Sequence, residues 1–175
     1  DADSFREILA VGPARTPGNG VFQGIREVRP GCLAVFSQDG FHEQSYWTLE
    51  ASPHTDSYEE TVERVSFLVR DAIRRQMVSD VPVCSFLSGG LDSSIVTAEA
   101  AAWMKASGGV LNTFSFDFAE NDRFFQSNRF QPTRDRPYVD LLLEELPVRH
   151  TYLECANETL ADLLPTAVRA KDLPG

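Results

Sequence analysis

The run Ser88-Gly89-Gly90-Leu91-Asp92-Ser93-Ser94 carries the residue types with the clearest chemistry in this sequence. Two adjacent glycines let the backbone turn sharply and approach a ligand without a Cβ in the way. Serine hydroxyls and the free N–H groups of a helix start favour a bound phosphate. A single carboxylate, Asp92, stands among these donors. Beside a polyphosphate we expect it to hold Mg²⁺, because hard cations take carboxylate and phosphate oxygens together.

The residues on either side of this run predict the elements that position it. The apolar run Val81–Leu87 predicts a buried strand, and Ile95–Trp103 predicts a helix. The loop is not a Walker A sequence, since Gly90 is followed by Leu91 rather than Lys. It also lacks the third glycine of the dinucleotide fingerprint and the spacing of a nucleophile elbow. It resembles the pyrophosphate loop of enzymes that cleave ATP to AMP and pyrophosphate; a serine-capped helix start is the alternative.

Alternating strands and helices continue beyond the loop, which predicts an α/β fold with a parallel sheet and right-handed crossovers. Ser57 and Glu60 have capping-box spacing at the start of a helix that precedes the loop. After the loop helix we predict a strand over 110–118, a helix over 137–146, a strand over 148–154 and a helix over 157–171. Ligands bind at the carboxyl ends of such strands, which places Phe118 beside the loop.

Two segments depart from this alternation. Residues 31–36 and 41–47 predict two strands joined through Asp39-Gly40, a strong hairpin signal. Residues 119–136 are polar and irregular, and we expect them to be weakly ordered when no ligand is bound.

Net charge, apolar runs and cysteine spacing limit the kinds of partner and cellular compartment that we expect for this protein. The net charge of −10 argues against nucleic acid as a main partner. The sequence has no run of about 18 apolar residues, the length that would predict a membrane span, and its N-terminus has no signal-peptide pattern. The cysteines, Cys32, Cys84 and Cys155, fit neither a zinc site nor a disulfide framework. We therefore expect a cytoplasmic protein.

The flanks of the loop resemble the glutamine-hydrolysing asparagine synthetase family. The resemblance is carried by Ser79-Asp80-Val81-Pro82-Val83 and Phe86-Leu87, by 56–62, by 9–18 and by Leu173-Pro174-Gly175. It implies a Rossmann-like synthetase domain of the adenine nucleotide alpha hydrolase type, incomplete and preceded by a short β-hairpin segment. Residues 1–56 would be the C-terminal remnant of a glutaminase domain with its linker. Residues 57–175 would be the N-terminal half of the synthetase domain, so we expect the chain to be a fragment of a larger enzyme.

The same resemblance implies a set of nucleotide-binding residues. Those expected to bind ATP or its pyrophosphate are Leu87, Ser88, Gly89, Gly90, Leu91, Asp92, Ser93, Ser94 and Phe118, with Asp92 holding Mg²⁺ through pyrophosphate. Leu87 would lie against the adenosine. Phe118 is a departure, because the family usually has a small aliphatic residue at the matching position. No catalytic residue is assigned within the chain.

The implied parent enzyme is a ligase. Aspartate would react with ATP to give β-aspartyl-AMP, and ammonia released from glutamine by the missing glutaminase domain would convert this to asparagine and AMP. The remaining half of the synthetase domain would complete the site, the fragment alone would be inactive, and a homodimer is compatible with the family. Two alternatives stay open: another amide ligase with the same loop, such as a β-lactam-type synthetase, and a non-catalytic nucleotide-binding module.

Overall fold

The computed structural model describes residues 2–12 and 16–171. Residues 1, 13–15 and 172–175 lie outside the described residues, and with them part of the 9–18 segment and the Leu173-Pro174-Gly175 end. The chain divides into two compact units, one formed by residues 1–55 with 165–175 and the other by residues 56–164.

The first unit contains a helix and a hairpin. Helix α1 spans Ala2–Val11, and strands β1 (Cys32–Ser37) and β2 (Gly40–Ser45) pair antiparallel. Ser37 pairs with Gly40 across the turn, and Gly40 has φ +112°, a conformation that glycine adopts without a steric cost. The hairpin predicted from Asp39-Gly40 is therefore confirmed.

The second unit holds the alternating elements. They are α2 (Tyr58–Gln76), β3 (Cys84–Phe86), α3 (Leu91–Ala106), β4 (Leu111–Phe118), α4 (Asn121–Phe124), α5 (Arg136–Glu145) and β5 (Val148–Cys155). The last helix, α6 (Asn157–Lys171), has residues in both units: residues 157–164 belong to the second unit and residues 165–171 to the first. Among the described residues, β3, β4 and β5 form a parallel sheet in that order, as the alternation predicts.

Strand β3 is shorter than the predicted strand over Val81–Leu87. Pro82 has no N–H to donate to a neighbouring strand, so the ladder cannot extend through it. At the other end, the Leu87 N–H donates to the Phe114 carbonyl at 2.8 Å. This bond holds the chain against β4 up to the residue before the loop.

One face of the sheet is buried beneath helices. Leu111 is fully buried and clusters with Ala100 and Ala101 of α3, whose small side chains let the helix approach the sheet closely. The buried hydroxyls of Ser85 and Thr97 lie 2.8 Å apart and join β3 to α3. This packing fixes the position of α3, and therefore of its first turn, relative to the end of β3.

Helix α2 is capped and then held to α3 by ion pairs. The Glu60 N–H donates to the Ser57 hydroxyl at 3.3 Å, and the Ser57 N–H donates to the Glu60 carboxylate at 2.9 Å, which confirms the capping box. The carboxylate of Glu99 lies 2.6 Å from Arg74 and 3.7 Å from Arg70. These pairs fix α2 against α3.

Replacing Glu99 with glutamine should lower the free energy of unfolding by about 1 kcal/mol, since the carboxylate is mostly buried but the arginines are about half exposed. The matched control is Asp71→Asn, which removes the exposed pair with Arg75 at 2.7 Å and should change stability less than Glu99→Gln does. Urea unfolding of both variants measures the difference. Equal effects would show that the Glu99 pairs do not hold the two helices together.

None of the described helices has the length and apolar character needed to cross a bilayer. Cys32, Cys84 and Cys155 are all free thiols.

Candidate functional site

The loop between β3 and α3 uses its two glycines differently. Gly89 has φ +76°, in the left-handed region, whereas Gly90 is extended with φ −71° and ψ 159°. Helix α3 follows at once, and its first backbone bond runs from the Ser94 N–H to the Gly90 carbonyl at 3.0 Å. The N–H groups of residues 91–93 precede any helical acceptor. They carry the positive end of the helix dipole, an arrangement suited to an anion.

The serine hydroxyls of the loop bind one another and the loop backbone. Ser93 donates to the Gly90 carbonyl at 3.1 Å and accepts from the Ser88 N–H at 3.2 Å. Ser88 and Ser93 hydroxyl oxygens lie 3.0 Å apart, and Ser94 donates to the Gly90 carbonyl at 2.6 Å. A hydroxyl has one proton to give, so in this arrangement Ser88 donates to Ser93. These bonds shape the loop; direct donation by Ser88, Ser93 and Ser94 to pyrophosphate stays a prediction.

The loop packs against the start of α5 at Gly89. A Cβ placed on Gly89 would lie 2.9 Å from the Asp135 carbonyl oxygen and 2.9 Å from the Tyr138 Cβ. A Cβ on Gly90 would meet only the Ser88 hydroxyl, at 3.5 Å. Gly89 is therefore required for conformation and for close packing, while Gly90 leaves the outer side of the loop open.

Asp92 lies in the first turn of α3 and is exposed, as is the neighbouring Leu91. Among the described residues no group of three or more His, Cys, Asp or Glu side chains could hold a metal ion. A single carboxylate fits the way proteins usually hold Mg²⁺, through one or two carboxylates with the remaining ligands from phosphates and water. The donor set at Asp92 is therefore compatible with a cation that arrives with a polyphosphate.

A cavity of about 360 Å³ lies at the carboxyl ends of the strands and meets the loop at Ser88. Its apolar wall includes Leu87 and Phe118, both predicted to contact a nucleotide. Leu87 is only 1% exposed, so little of it is available to a ligand. Of the predicted site residues, Leu87, Ser88 and Phe118 line the cavity, whereas those at 89–94 form the adjacent loop and are not among its lining residues.

The cavity is also lined by residues that the sequence analysis did not identify as site residues. They include Phe116, Asn121, Phe125, Gln131, Arg136 and Tyr152. The last two belong to one network, since the Arg136 guanidinium lies 4.2 Å from the Tyr152 ring centre and 2.8 Å from the Glu154 carboxylate. The bond to Glu154 raises the pKa of Arg136. No signal in the sequence pairs residues 18 positions apart, so this network becomes visible only in three dimensions.

Asp117 caps the end of β4 beside this network. Its Oδ1 accepts from the Phe118 N–H and from the Asn121 side-chain amide, both at 2.8 Å. Arg136 lies 3.7 Å from its other oxygen. Burial and a hydrogen bond to Asp140 raise the pKa of the Tyr152 hydroxyl, which donates to that carboxylate at 2.6 Å. Arg136 is therefore paired with two carboxylates, those of Asp117 and Glu154.

His150 belongs to strand β5 and is not among the residues that line the cavity. Its Nδ1 is 2.8 Å from the Thr113 hydroxyl, and its Nε2 is buried with no hydrogen-bond partner among the described residues. Burial lowers the pKa of His150, and the opposing effect of the Asp140 charge is smaller. The folded protein therefore favours the neutral imidazole.

The stability of the protein should fall as the pH drops below the ordinary histidine pKa of about 6.5, since the unfolded chain then takes up a proton that folded His150 resists. The contribution is fully present above that pH, and its slope cannot exceed about 1.4 kcal/mol per pH unit. Urea unfolding between pH 8 and pH 5 measures it. His150→Asn should flatten the profile relative to His42→Asn, and parallel profiles would contradict the assignment.

Comparison with known proteins places these features in a family. The asparagine synthase family model matches residues 64–175. The whole chain is 47% identical to glutamine-hydrolyzing asparagine synthetase 3 of Bacillus subtilis and covers 29% of that protein. Over 55% of the chain it is 32% identical to asparagine synthetase 1 of the same organism, of which it covers 15%. Over 48% of the chain it is 36% identical to the amidase chyE of Penicillium rubens, of which it covers 13%. The chain thus spans under a third of the length of each of these relatives.

Proposed function

We propose that this chain, which belongs to the asparagine synthase family, is part of an ATP-dependent ligase that converts aspartate to asparagine. The observation that carries the proposal is the loop at 88–94, where free N–H groups at the start of α3 and the carboxylate of Asp92 lie beside a cavity with aromatic walls. Such a loop suits the phosphates of ATP and the cavity suits its nucleoside.

The proposed reaction has two steps. A side-chain oxygen of aspartate bonds to the α-phosphorus of ATP, and the bond from that phosphorus to pyrophosphate breaks. Ammonia then bonds to the acyl carbon of β-aspartyl-AMP, the bond to AMP breaks, and a proton is released as asparagine forms. The protein contributes mainly by positioning the reactants and by stabilising charge on the phosphate oxygens.

Each predicted site residue takes a role in this scheme. The backbone of Gly89, Gly90 and Leu91, with the backbone and hydroxyls of Ser88, Ser93 and Ser94, would bind the pyrophosphate. Leu87 and Phe118 would contact the adenosine. Asp92 would hold Mg²⁺, which when bound neutralises charge on the phosphates. The exposed position of Asp92 in the first turn of α3 supports this role.

The remaining parts of the enzyme would supply the nitrogen and close the site. We assign residues 1–56 to the end of a glutaminase domain and residues 57–175 to the first half of the synthetase domain. Support comes from the uncovered face of the sheet, where Phe86 is 73%, Phe116 55% and Leu153 44% exposed. Parallel sheets are normally covered on both faces, so further chain would pack there. Cytoplasmic location and a homodimer belong to the same proposal.

The test uses the protein at its full natural length with aspartate labelled by ¹⁸O in the side-chain carboxylate. The proposal predicts asparagine, pyrophosphate and AMP in equal amounts, with one ¹⁸O in each AMP. Free ammonium should replace glutamine as the nitrogen donor, because the synthetase step uses ammonia. Formation of ADP and phosphate, or AMP without label, would overturn the proposal.

A further inference from the structure

The peptide group that joins Leu87 to Ser88 is held at both of its polar ends. Its carbonyl accepts a hydrogen bond from the Ser115 hydroxyl of β4. Its N–H donates to the Ser93 hydroxyl, in the first turn of α3, at 3.2 Å. The chain therefore enters the loop at 88–94 through a peptide whose plane is fixed by β4 on one side and by α3 on the other.

The Ser115 hydroxyl extends the attachment of this segment to β4. Strand β3 ends at Phe86, and the Leu87 N–H still donates to the Phe114 carbonyl at 2.8 Å. The next acceptor along the chain is the Leu87 carbonyl, and it is bound by a side chain of β4. The attachment thus reaches the residue at which the loop begins.

Ser115 would affect a ligand through the loop rather than by contact. Its side chain is among those that line the cavity, but the residue is only 5% exposed. A hydroxyl has one proton to donate, and the Leu87 carbonyl takes it. Ser115 therefore has no proton left to donate to a ligand.

The Ser93 hydroxyl connects the entering peptide to the rest of the loop. It donates to the Gly90 carbonyl at 3.1 Å, and the Ser88 hydroxyl lies 3.0 Å from it. Hydrogen bonds in such a chain polarise one another, so the bond at the Leu87 carbonyl strengthens the donation by the Ser88 N–H. Rotation of the Leu87–Ser88 peptide would break these bonds and release the turn that leads into α3.

We propose that Ser115 is a positioning residue for the loop at 88–94, an inference that rests on the proposed ATP site. Its hydroxyl holds the Leu87–Ser88 peptide in the orientation that keeps the N–H groups of residues 91–93 directed at the phosphates. Donors that are already oriented stabilise a charge without the cost of reorganisation. Loss of the hydroxyl should therefore weaken the binding of pyrophosphate, which occupies the loop, more than that of adenosine, which would occupy the cavity.

The test measures the dissociation constants of Mg-pyrophosphate and of adenosine at pH 8 for the protein at its full natural length. Ser115→Ala should weaken Mg-pyrophosphate binding about 10-fold, the equivalent of about one hydrogen bond, and should change adenosine binding by less than about 2-fold. Ser115→Cys keeps a similar shape with a weak S–H donor, so its Mg-pyrophosphate affinity should lie between those of the parent protein and Ser115→Ala. The cysteine variant decides the question if Ser115→Ala does not fold.

Thr113→Val is the matched control. Thr113 is fully buried on the same face of β4, two residues before Ser115, and its hydroxyl lies 2.8 Å from the His150 Nδ1 of β5. The substitution removes a buried hydroxyl whose bond does not involve the loop. It should lower the urea midpoint as Ser115→Ala does and leave Mg-pyrophosphate affinity within about 2-fold of the parent value.

The outcomes separate the two proposals. If both Ser115 variants bind Mg-pyrophosphate as the parent protein does, the positioning role is wrong and the ATP site stands. If Ser115→Ala weakens adenosine binding and spares pyrophosphate, Ser115 contacts the nucleoside directly and the inference is overturned. Equal losses of pyrophosphate affinity in Thr113→Val and Ser115→Ala would also overturn it, since the effect would then come from a general loss of stability. If Mg-pyrophosphate does not bind to the parent protein, the proposed function fails, and the inference fails with it.

Discussion

Replacing Gly89 by alanine should lower the free energy of unfolding by about 2–4 kcal/mol, the largest stability effect that we expect from any single methyl group in the second unit. Two costs add. An L residue at φ +76° is strained, and the new Cβ would lie 2.9 Å from both the Asp135 carbonyl oxygen and the Tyr138 Cβ. Neither neighbour is a flexible side-chain end, so relief requires the loop or α5 to move.

Gly90→Ala is the matched control for this substitution. Its backbone is extended and the added Cβ meets only the Ser88 hydroxyl at 3.5 Å, so the cost should be about 1 kcal/mol or less, mostly from the poorer N-cap. Urea unfolding of the two variants under identical conditions gives the comparison. Equal destabilisation of the two variants would contradict the close packing of Gly89 against the start of α5.

The two glycine variants should also differ in nucleotide binding. Gly90→Ala places a methyl group on the open side of the loop and should weaken Mg-pyrophosphate binding with little loss of stability. An affinity unchanged by Gly90→Ala would mean that a ligand does not approach the backbone at this residue.

Asp92→Asn should reduce kcat/KM for ATP-dependent asparagine formation by more than about 100-fold, a loss of about 3 kcal/mol of transition-state stabilisation. The substitution keeps the shape of the side chain and removes the charge that would hold Mg²⁺ beside the pyrophosphate. Stability should change by less than about 1 kcal/mol, because the residue is exposed and an acid in the first helical turn contributes little.

Asp80→Asn provides the control for Asp92→Asn. Asp80 is an exposed carboxylate shortly before β3 and outside the loop, so its loss should leave kcat/KM unchanged within about 2-fold. Similar losses in the two variants would point to a general effect of negative charge and would contradict a specific role for Asp92.

The parts of the fold that sequence could predict are those set by local chemistry. The hairpin followed from Asp39-Gly40, and the start of α2 followed from Ser57 and Glu60. The strand, loop and helix around Gly89-Gly90 followed from an apolar run ending in glycine and serine. In each case the signal lies in neighbouring residues, so a short stretch of sequence predicts the element.

Other features depend on partners that sequence order does not reveal. Strand β3 is short because Pro82 interrupts the ladder, and helix α4 lies in a segment whose residues have no helical periodicity. The different roles of Gly89 and Gly90 arise because Gly89 packs against α5, which begins at Arg136, 46 to 47 positions later in the sequence. The lining of the cavity by Gln131 and Tyr152 likewise requires the packed structure.

Isothermal titration with pyrophosphate, with and without Mg²⁺, is the most direct test of the loop as an ATP site. It compares the protein at its full natural length with its Asp92→Asn and Asp80→Asn variants. We predict binding that requires Mg²⁺, falls at least 10-fold in Asp92→Asn and is unchanged in Asp80→Asn. Binding that is independent of Mg²⁺, or equal in the parent protein and Asp92→Asn, would contradict the assignment of Asp92 and of the loop that carries it.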